Sequence, residues 1–396
     1  ADSVEINGDA PHLVVFNPSA HARSGWVRSP LREIDNCGED LIPSGDGSLR
    51  PVILNSHWRV NLPDAILDGK FELIDAETGT SVPHQLTPLT NHRAPAAHAA
   101  ERCGLGVGSK RYGIFEVPRG LLCDVEFMAE DVPGFGWRCY RLLETGLAPA
   151  AAPVAAPPCI ENEIYRIEFT AGDRIAIVDK RLQQDIIDPD AEVFGTLVRR
   201  EGDAVEKAEI LGVETMGGPL SQSLILRQRI RGCPDAETRF TLRKESPEVE
   251  MSIYVLRDAT PGAETLVAFP FHLPDCEVDI ETPLAAERPG ENLLPGAYSN
   301  RLSVADWLWL RNGVQSVLWS SADSPIVSLG QLWPDRISPA HACRPGTSLA
   351  DPPQTARDFC VGRVYATLFA NNFGTNFYAS QDGGHLFRFV FRSDSG

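Results

Sequence analysis

The feature that most constrains the fold of this chain is a period-two alternation of apolar residues. The clearest runs place an apolar residue at every second position, as in Val249, Met251, Ile253 and Val255, and again in Phe387, Phe389 and Phe391. This is the period of a strand with one buried face. No window longer than about 12 residues keeps its apolar side chains on one side of a helix. Turn residues such as Pro-Gly and Gly-Gly pairs separate the runs, so the pattern predicts an all-β chain of antiparallel sandwiches.

A stretch of alanine and proline divides the sequence. Residues 147–158 read LAPAAAPVAAPP, and their repeated prolines exclude a helix. We expect a smaller N-terminal β-sandwich domain over 1–146, an extended linker over 147–158 and a large β-domain over 159–396. A second irregular stretch, Ser338 to Asp358, is rich in Pro, Ala and Ser and predicts a long surface loop within the larger domain.

The charge balance excludes several classes of partner. Acidic residues outnumber basic ones by 54 to 36, which gives a formal net charge of −18. Such a field repels nucleic acid and anionic membranes, and no apolar stretch approaches the roughly 18–20 residues of a membrane-spanning helix. The nine cysteines are spaced singly, without a Cys-x-x-Cys pair, as is typical of a reducing compartment. We therefore expect a cytoplasmic protein with no nucleic-acid or membrane partner.

The common catalytic motifs are absent from the sequence. It has no Gly-x-Ser-x-Gly, no phosphate-binding Gly-rich loop ending in Lys-Ser/Thr and no His-Glu-x-x-His, and its histidines never pair at metal-ligand spacing. Glycoside hydrolysis needs two carboxylates across a sugar, and sequence spacing cannot select such a pair from different strands. The residues alone predict neither a catalytic site nor a metal site.

Two segments, 294–325 and 365–389, combine aromatic residues with Asn, Asp and Arg. This mixture suits sugar recognition, because sugar faces stack on aromatic rings while amides and charged groups bond hydroxyls. Trp307 and Trp309 share one face of a predicted strand, and such a pair is more often part of a core than a sugar platform. Asn371 and Asn372 lie where a strand meets a turn, and adjacent asparagines often simply close turns.

Five segments, in order, resemble the C-terminal β-domains of family-38 glycoside hydrolases, the α-mannosidases. They are VVFNPSAHARSGWV from Val14, DVPGFGWRCYRL from Asp131, IENEIYRIEFTAGDRIAIVDKRLQQDIID from Ile160, LPGAYSNRLSVADWLWL from Leu294 with the SADSP that follows it, and NNFGTNFYASQDGGHLFRF from Asn371. In the third segment, Glu161-Asn162 and Asp179-Lys180 hold the motif positions. The chain departs from the family at Gly374, where the family usually carries Trp, and at Ser299-Asn300, which replaces an acidic-aromatic pair.

This resemblance implies a fold, a role and partners. The larger domain would be a mutarotase-like supersandwich, because the large sandwich of the mannosidases is similar in fold to aldose epimerases. In that family, zinc and the nucleophilic aspartate belong to an N-terminal α/β catalytic domain. We expect this chain to lack that domain, to bind no cofactor, and to be either a fragment or a stand-alone relative that is inactive alone. The implied partners are a carbohydrate and the catalytic domain of a parent protein, and the implied sugar contacts are Asn371, Asn372, Asn376, Asp323 and Arg301.

Two other functions stay open. A stand-alone, non-catalytic carbohydrate-binding protein needs an exposed aromatic platform, for which the candidates are Trp26, Trp58, Trp137 and Trp333. A mutarotase-like sugar epimerase needs a histidine acid and a carboxylate base that face one sugar. His272 or His385 would have to supply the acid.

Overall fold

The computed structural model describes residues 10–31, 39–43, 49–53, 62–88, 123–146, 158–202, 204–258, 262–292, 301–330, 332, 361–371 and 381–395. The chain divides into two compact units, one of residues 1–152 with 218–220 and one of residues 153–217 with 221–396. Residues 147–157 of the predicted linker and the whole predicted loop over 338–358 lie outside the described residues. The predicted domain boundaries therefore stay predictions.

The described strands of the first unit form three small antiparallel sheets. Its elements are β1 (His12–Phe16), β2 (Arg23–Leu31), β3 (Glu39–Pro43), β4 (Leu49–Ile53), α1 (Asp64–Leu67), β5 (Phe71–Asp75), β6 (His84–Pro88), β7 (Cys123–Val132) and β8 (Trp137–Glu144). The strand orders are β1-β8-β5, β2-β7-β6 and β3-β4. Side chains from both three-stranded sheets form one buried cluster, in which the rings of Phe127 and Tyr140 meet edge to face at 4.7 Å.

The second unit is larger and also antiparallel throughout its described strands. Its first strands are β9 (Cys159–Glu161), β10 (Tyr165–Thr170), β11 (Arg174–Asp179), β12 (Gln184–Asp185), β13 (Leu197–Glu201), β14 (Ala204–Lys207), β15 (Glu209–Gly217), β16 (Ser221–Ile230), β17 (Cys233–Arg243) and β18 (Val249–Arg257). The remaining strands are β19 (Glu264–Pro270), β20 (Glu277–Thr282), β21 (Ala285–Glu287), β22 (Leu302–Ser303), β23 (Trp307–Arg311), β24 (Gln315–Ser321), β25 (Ile326–Leu329), β26 (Arg363–Ala370) and β27 (Gly383–Ser395).

These strands form a four-stranded, a six-stranded and a nine-stranded sheet. Their orders are β12-β11-β10-β9, β14-β13-β19-β26-β25-β22 and β15-β16-β17-β18-β27-β24-β23-β20-β21. One buried cluster draws on both large sheets, since Phe269 of the six-stranded sheet packs 5.0 Å from Phe389 and 5.4 Å from Trp319 of the nine-stranded sheet. Two sheets that share one core form a sandwich, so the predicted all-β antiparallel fold class is confirmed.

The alternation seen in the sequence is present in the strands. In β18, Val249, Met251, Ile253 and Val255 are buried while the residues between them are half-buried. In β27, Phe387, Phe389 and Phe391 are buried in the same way. None of the helical segments in these described ranges could span a bilayer.

The interpretation of Trp307 and Trp309 as a core pair is wrong. Leu308 and Leu310 are the residues of β23 that enter the core, so the two tryptophans face away from it. Trp309 is 38% exposed, and Trp307 is half-buried. The fully buried tryptophan of this region is Trp319 on the adjacent strand β24. Alternation places both tryptophans of β23 on one face, but it cannot say which face is buried.

Candidate functional site

The first predicted sugar contact, Asn371, follows the last residue of β26. Its main-chain N–H donates to the carbonyl oxygen of Ala263 at 2.9 Å, and its own carbonyl accepts from the N–H of Gly262 at 2.8 Å. Asn371 is also buried. It therefore extends the pairing of β19 with β26 and closes this end of the six-stranded sheet. Asn372 and Asn376 lie outside the described residues.

A buried cluster of charges lies beside Asn371. Glu264, the first residue of β19, is the register partner of Ala370 on one side and of Arg200 on the other. The Nε of Arg200 donates to the Glu264 carboxylate at 2.8 Å, and its Nη2 also reaches that carboxylate. Arg301, immediately before β22, forms a further ion pair with Glu264. We call Glu264, Arg200 and Arg301 the Glu264 cluster.

The Glu264 cluster is almost entirely shielded from water. The side chain of Glu264 is 1% exposed, that of Arg200 2% and that of Arg301 13%. Charges buried to this degree are retained only when they are paired, because each ion loses its hydration. Arg301 is therefore held by an ion pair, with a small part of its side chain at the surface. The structure thus brings two of the five predicted contacts, Arg301 and Asn371, to one end of one sheet.

Asp323 belongs to a different sheet. It follows β24, and its carboxylate accepts two hydrogen bonds of 2.9 Å from the guanidinium of Arg388 on β27. It also accepts from the main-chain N–H of Arg388 at 2.9 Å. The hydrogen bonds and positive charge of Arg388 lower the pKa of Asp323 below its usual range. Asp323 is thus ionised and clamps the β24–β25 connection to the nine-stranded sheet.

Polar residues that the sequence did not single out lie at the opposite end of the six-stranded sheet. Arg363 of β26 donates to the carboxylate of Asp188 at 2.8 Å, and Tyr365 donates to the carboxylate of Glu192 at 2.8 Å. Burial and the Glu192 carboxylate raise the pKa of Tyr365, so its phenol stays protonated. Arg363 and Tyr365 alternate along β26 with Val364 and Ala366 of the main core. This alternation is the sequence pattern that places their side chains on the other face of the strand.

The two alternative candidates for an epimerase acid, His272 and His385, lie at different ends of β26. His385 packs edge-on against Phe369 at 5.0 Å, near the Asn371 end of β26. His272 follows β19, whose last residue pairs with Arg363 at the other end of β26. Six residues of strand separate Phe369 from Arg363, which corresponds to about 20 Å.

Asp188, a carboxylate that interacts electrostatically with His272, is a weak general base. Burial would raise the pKa of Asp188, but hydrogen bonds from Arg363 and from the main chain outweigh it and, with the charge of His272, hold the pKa below its usual range. A base with a low pKa takes up a proton poorly at neutral pH. His272 and Asp188 therefore do not favour the epimerase function.

A metal site needs several His, Cys, Asp or Glu side chains close together. Across the described ranges, no group of three or more His, Cys, Asp or Glu side chains could hold a metal ion. These residues do not fit a zinc site, and no zinc-dependent step is assigned to them.

The five described cysteines are free thiols, and burial raises the pKa of Cys123 to about 12, which suppresses its thiolate. The cytoplasmic location stays a prediction.

Comparison with known proteins identifies the fold. No family model and no curated protein matches the sequence. The structure of an α-mannosidase from Enterococcus faecalis V583 covers 97% of this chain and 43% of its own, at a TM-score of 0.55 and 11% identity. A glycosyl hydrolase family 38 protein from Enterococcus faecalis covers 98% of this chain and 44% of its own, at a TM-score of 0.55 and 12% identity. This chain has the fold of one portion of a family-38 glycoside hydrolase.

The resemblance predicted from the five sequence segments is thereby confirmed at the level of the fold. The chain spans less than half the length of the two family-38 proteins it matches. A candidate aldose 1-epimerase from Escherichia coli K12 covers 62% of this chain and 99% of its own, at a TM-score of 0.34 and 9% identity.

Proposed function

We propose that this chain is the β-sandwich portion of an α-mannosidase-like glycoside hydrolase. It supports a catalytic domain of the parent protein and contributes side chains to sugar binding. The observation that carries this proposal is the fold match to the Enterococcus faecalis α-mannosidase, which covers 97% of this chain but only 43% of that one. A match that spans nearly all of one protein and part of a longer one is expected of a domain pair within a larger enzyme.

The geometry at the end of the six-stranded sheet supports this role. The Glu264 cluster fixes the start of β19, and Asn371 joins β26 to it through two main-chain hydrogen bonds. The predicted contacts Asn372 and Asn376 follow directly in the sequence. A site whose first residues are held on a rigid sheet binds with less loss of conformational entropy than one on a free loop.

The test compares this chain with a protein that also includes the sequence encoded upstream of Ala1. The purified 396-residue chain is expected to leave an aryl α-mannoside uncleaved, with or without added zinc. The product that includes the sequence encoded upstream of Ala1 is expected to cleave it. Zinc-dependent turnover by the 396-residue chain would contradict the proposal. So would an upstream sequence without an α/β region that carries candidate metal-ligand His and Asp residues.

A second candidate function, a stand-alone carbohydrate-binding protein, is favoured by one observation. Trp309 is a large aromatic side chain on the nine-stranded sheet and is 38% exposed, as non-catalytic sugar binding requires. The upstream sequence discriminates between the two functions, because a stand-alone protein needs no catalytic domain there.

A further inference from the structure

The outer face of the nine-stranded sheet carries an aromatic surface on a different sheet from Arg301 and Asn371. On β23, Trp309 points away from the core and is flanked by Arg311 on the same strand. The neighbouring strand β20 places Asp279 opposite Trp309 and Glu277 opposite Arg311. Arg288, just after β21, lies against both carboxylates. We call these five residues the Trp309 platform.

The ring of Trp309 is held in place before any ligand binds. The guanidinium carbon of Arg311 lies 4.3 Å from the centroid of that ring, in a cation–π contact that covers one of its faces. Arg311 is itself fixed by ion pairs of 2.6 Å to Asp279 and 3.2 Å to Glu277. Trp309 is 38% exposed, and a ring that is already held in place costs a ligand little further conformational entropy.

The charges of the platform are nearly balanced. Arg288 bonds Asp279 at 3.1 Å and Glu277 at 3.3 Å, and it lies 3.8 Å from Glu291. Two guanidiniums therefore face three carboxylates, which leaves one negative charge in excess. An anionic ligand would be repelled both here and by the net charge of −18 on the whole chain. A neutral ligand would meet paired groups that still offer N–H donors and carboxylate acceptors at their edges.

We propose that the Trp309 platform binds a neutral oligosaccharide. One sugar ring stacks on the open face of Trp309, and Asp279 and Arg311 bond its hydroxyls. Trp307 lies two residues earlier on the same face of β23, about 7 Å away, where it contacts the adjoining sugar. The platform lies on a different sheet from Arg301 and Asn371, so it is a separate site. It rests on the carbohydrate part of the proposed function, and no catalytic step is assigned to it.

The chain offers a matched control for this site. Trp137 of β8, in the other unit, is 36% exposed, almost the same as Trp309 at 38%. Trp309 is flanked by Arg–carboxylate pairs. Within the described part of the chain, Trp137 has no such pairs beside its ring. Trp309→Ala and Trp137→Ala therefore remove equally exposed rings, only one of which belongs to the proposed site.

The experiment is a titration of the full chain followed by tryptophan fluorescence and calorimetry. The ligands are the neutral tetrasaccharides mannotetraose, cellotetraose and a galactose tetramer, with tetragalacturonate as the anionic comparison. We expect saturable binding of at least one neutral sugar below about 10 mM, weakened at least tenfold by Trp309→Ala and changed less than twofold by Trp137→Ala. Trp309→Tyr retains a stacking face and should restore most of the affinity. All variants should keep the melting temperature of the parent chain within a few degrees.

Several outcomes would overturn the proposal. They are no response to any neutral sugar at about 10 mM, affinity unaffected by Trp309→Ala, or a preference for tetragalacturonate. A dimer that dissociates in Trp309→Ala would assign the face to a second copy of the chain. These readouts are independent of aryl-mannoside cleavage, so failure of the platform and failure of the proposed enzyme role can be told apart.

Discussion

At the scale of single residues, Glu264 illustrates how one buried charge organises the end of a sheet. Two arginines from different segments, Arg200 and Arg301, converge on its carboxylate. We predict that Glu264→Gln, which keeps the side-chain volume, lowers the free energy of unfolding by about 3–5 kcal/mol, because it leaves two buried guanidiniums without their counter-charge. Urea unfolding followed by circular dichroism measures the change.

An exposed ion pair provides the comparison for Glu264. Glu209 pairs with Arg229 at 2.9 Å, but both side chains are largely in water. Glu209→Gln should therefore change the free energy of unfolding by less than about 1 kcal/mol. Equal effects of the two substitutions would show that burial does not set the cost at Glu264.

Asp179 provides a second buried carboxylate, with a pH dependence of its own. It accepts hydrogen bonds from Arg181 at 2.8 Å and from Ser393 at 2.6 Å, and Ser393 in turn donates through its main chain to Tyr165. Burial alone would raise the pKa of Asp179, but these hydrogen bonds outweigh it and hold the pKa below its usual value of 3.8. The ionised carboxylate thus stabilises the folded state at neutral pH.

The sign of the pH effect follows from that lowered pKa. The stabilisation by Asp179 is fully present above pH about 4 and is lost as the pH falls through the folded-state pKa. We predict that Asp179→Asn costs about 1.5–3 kcal/mol at pH 7 and that the difference from the parent shrinks towards pH 3. Urea unfolding at several pH values tests this, with Asp173→Asn in the exposed turn before β11 as the control. A difference independent of pH would contradict the prediction.

At the scale of elements, the adjacent strands β23 and β24 present tryptophans to opposite faces of one sheet. Trp319 packs among Phe269 and Phe389, whereas Trp309 faces solvent. We predict that Trp319→Ala lowers the free energy of unfolding by about 3–5 kcal/mol, because it leaves a cavity in the core. Trp309→Ala should cost less than about 1 kcal/mol. Thermal unfolding of the two variants measures the contrast, and a reversed order would contradict the assigned faces.

The connection between β7 and β8 depends on a close backbone approach. A Cβ added to Gly134 would lie 2.6 Å from the carbonyl carbon of Ala20 and 2.9 Å from the nitrogen of His21. We predict that Gly134→Ala displaces one of the two loops and destabilises the first unit by about 1–3 kcal/mol. Gly146→Ala, where no atom lies within 4 Å of the added Cβ, is the control. Thermal unfolding should separate the two variants, and equal melting temperatures would contradict the steric argument.

At the scale of the whole molecule, each unit has a core of its own. The larger cluster contains residues from Ile160 to Phe391, and the smaller one contains residues from Leu31 to Leu142. We predict that residues 158–396, expressed alone, fold and unfold cooperatively, because none of the described residues of their main core comes from the first unit. Calorimetry with near-ultraviolet circular dichroism tests this. A fragment that binds a hydrophobic dye and melts without a sharp transition would contradict it.

The sequence predicted the elements better than it predicted the site. The alternation of β18 and β27 located both strands correctly, because side-chain period is a local property of the backbone. The resemblance implies sugar contacts at Arg301 and Asn371, and the structure places both near Glu264. Glu264 itself was missed, since it stands at the start of an apolar strand and its sequence neighbours carry no sign of a charged partner.

The sequence by itself determined the strand class, the antiparallel architecture and the family whose fold the chain shares. The strand class rests on alternation within a few residues, which local backbone geometry fixes, and the family resemblance rests on five segments in order along the chain. Only the tertiary structure decided which side chains meet. Arg200 reaches Glu264 across 64 residues of chain, and Ser393 reaches Asp179 across 214. Such contacts depend on strand order and register, and so does the choice that buries Trp319 and leaves Trp309 in water.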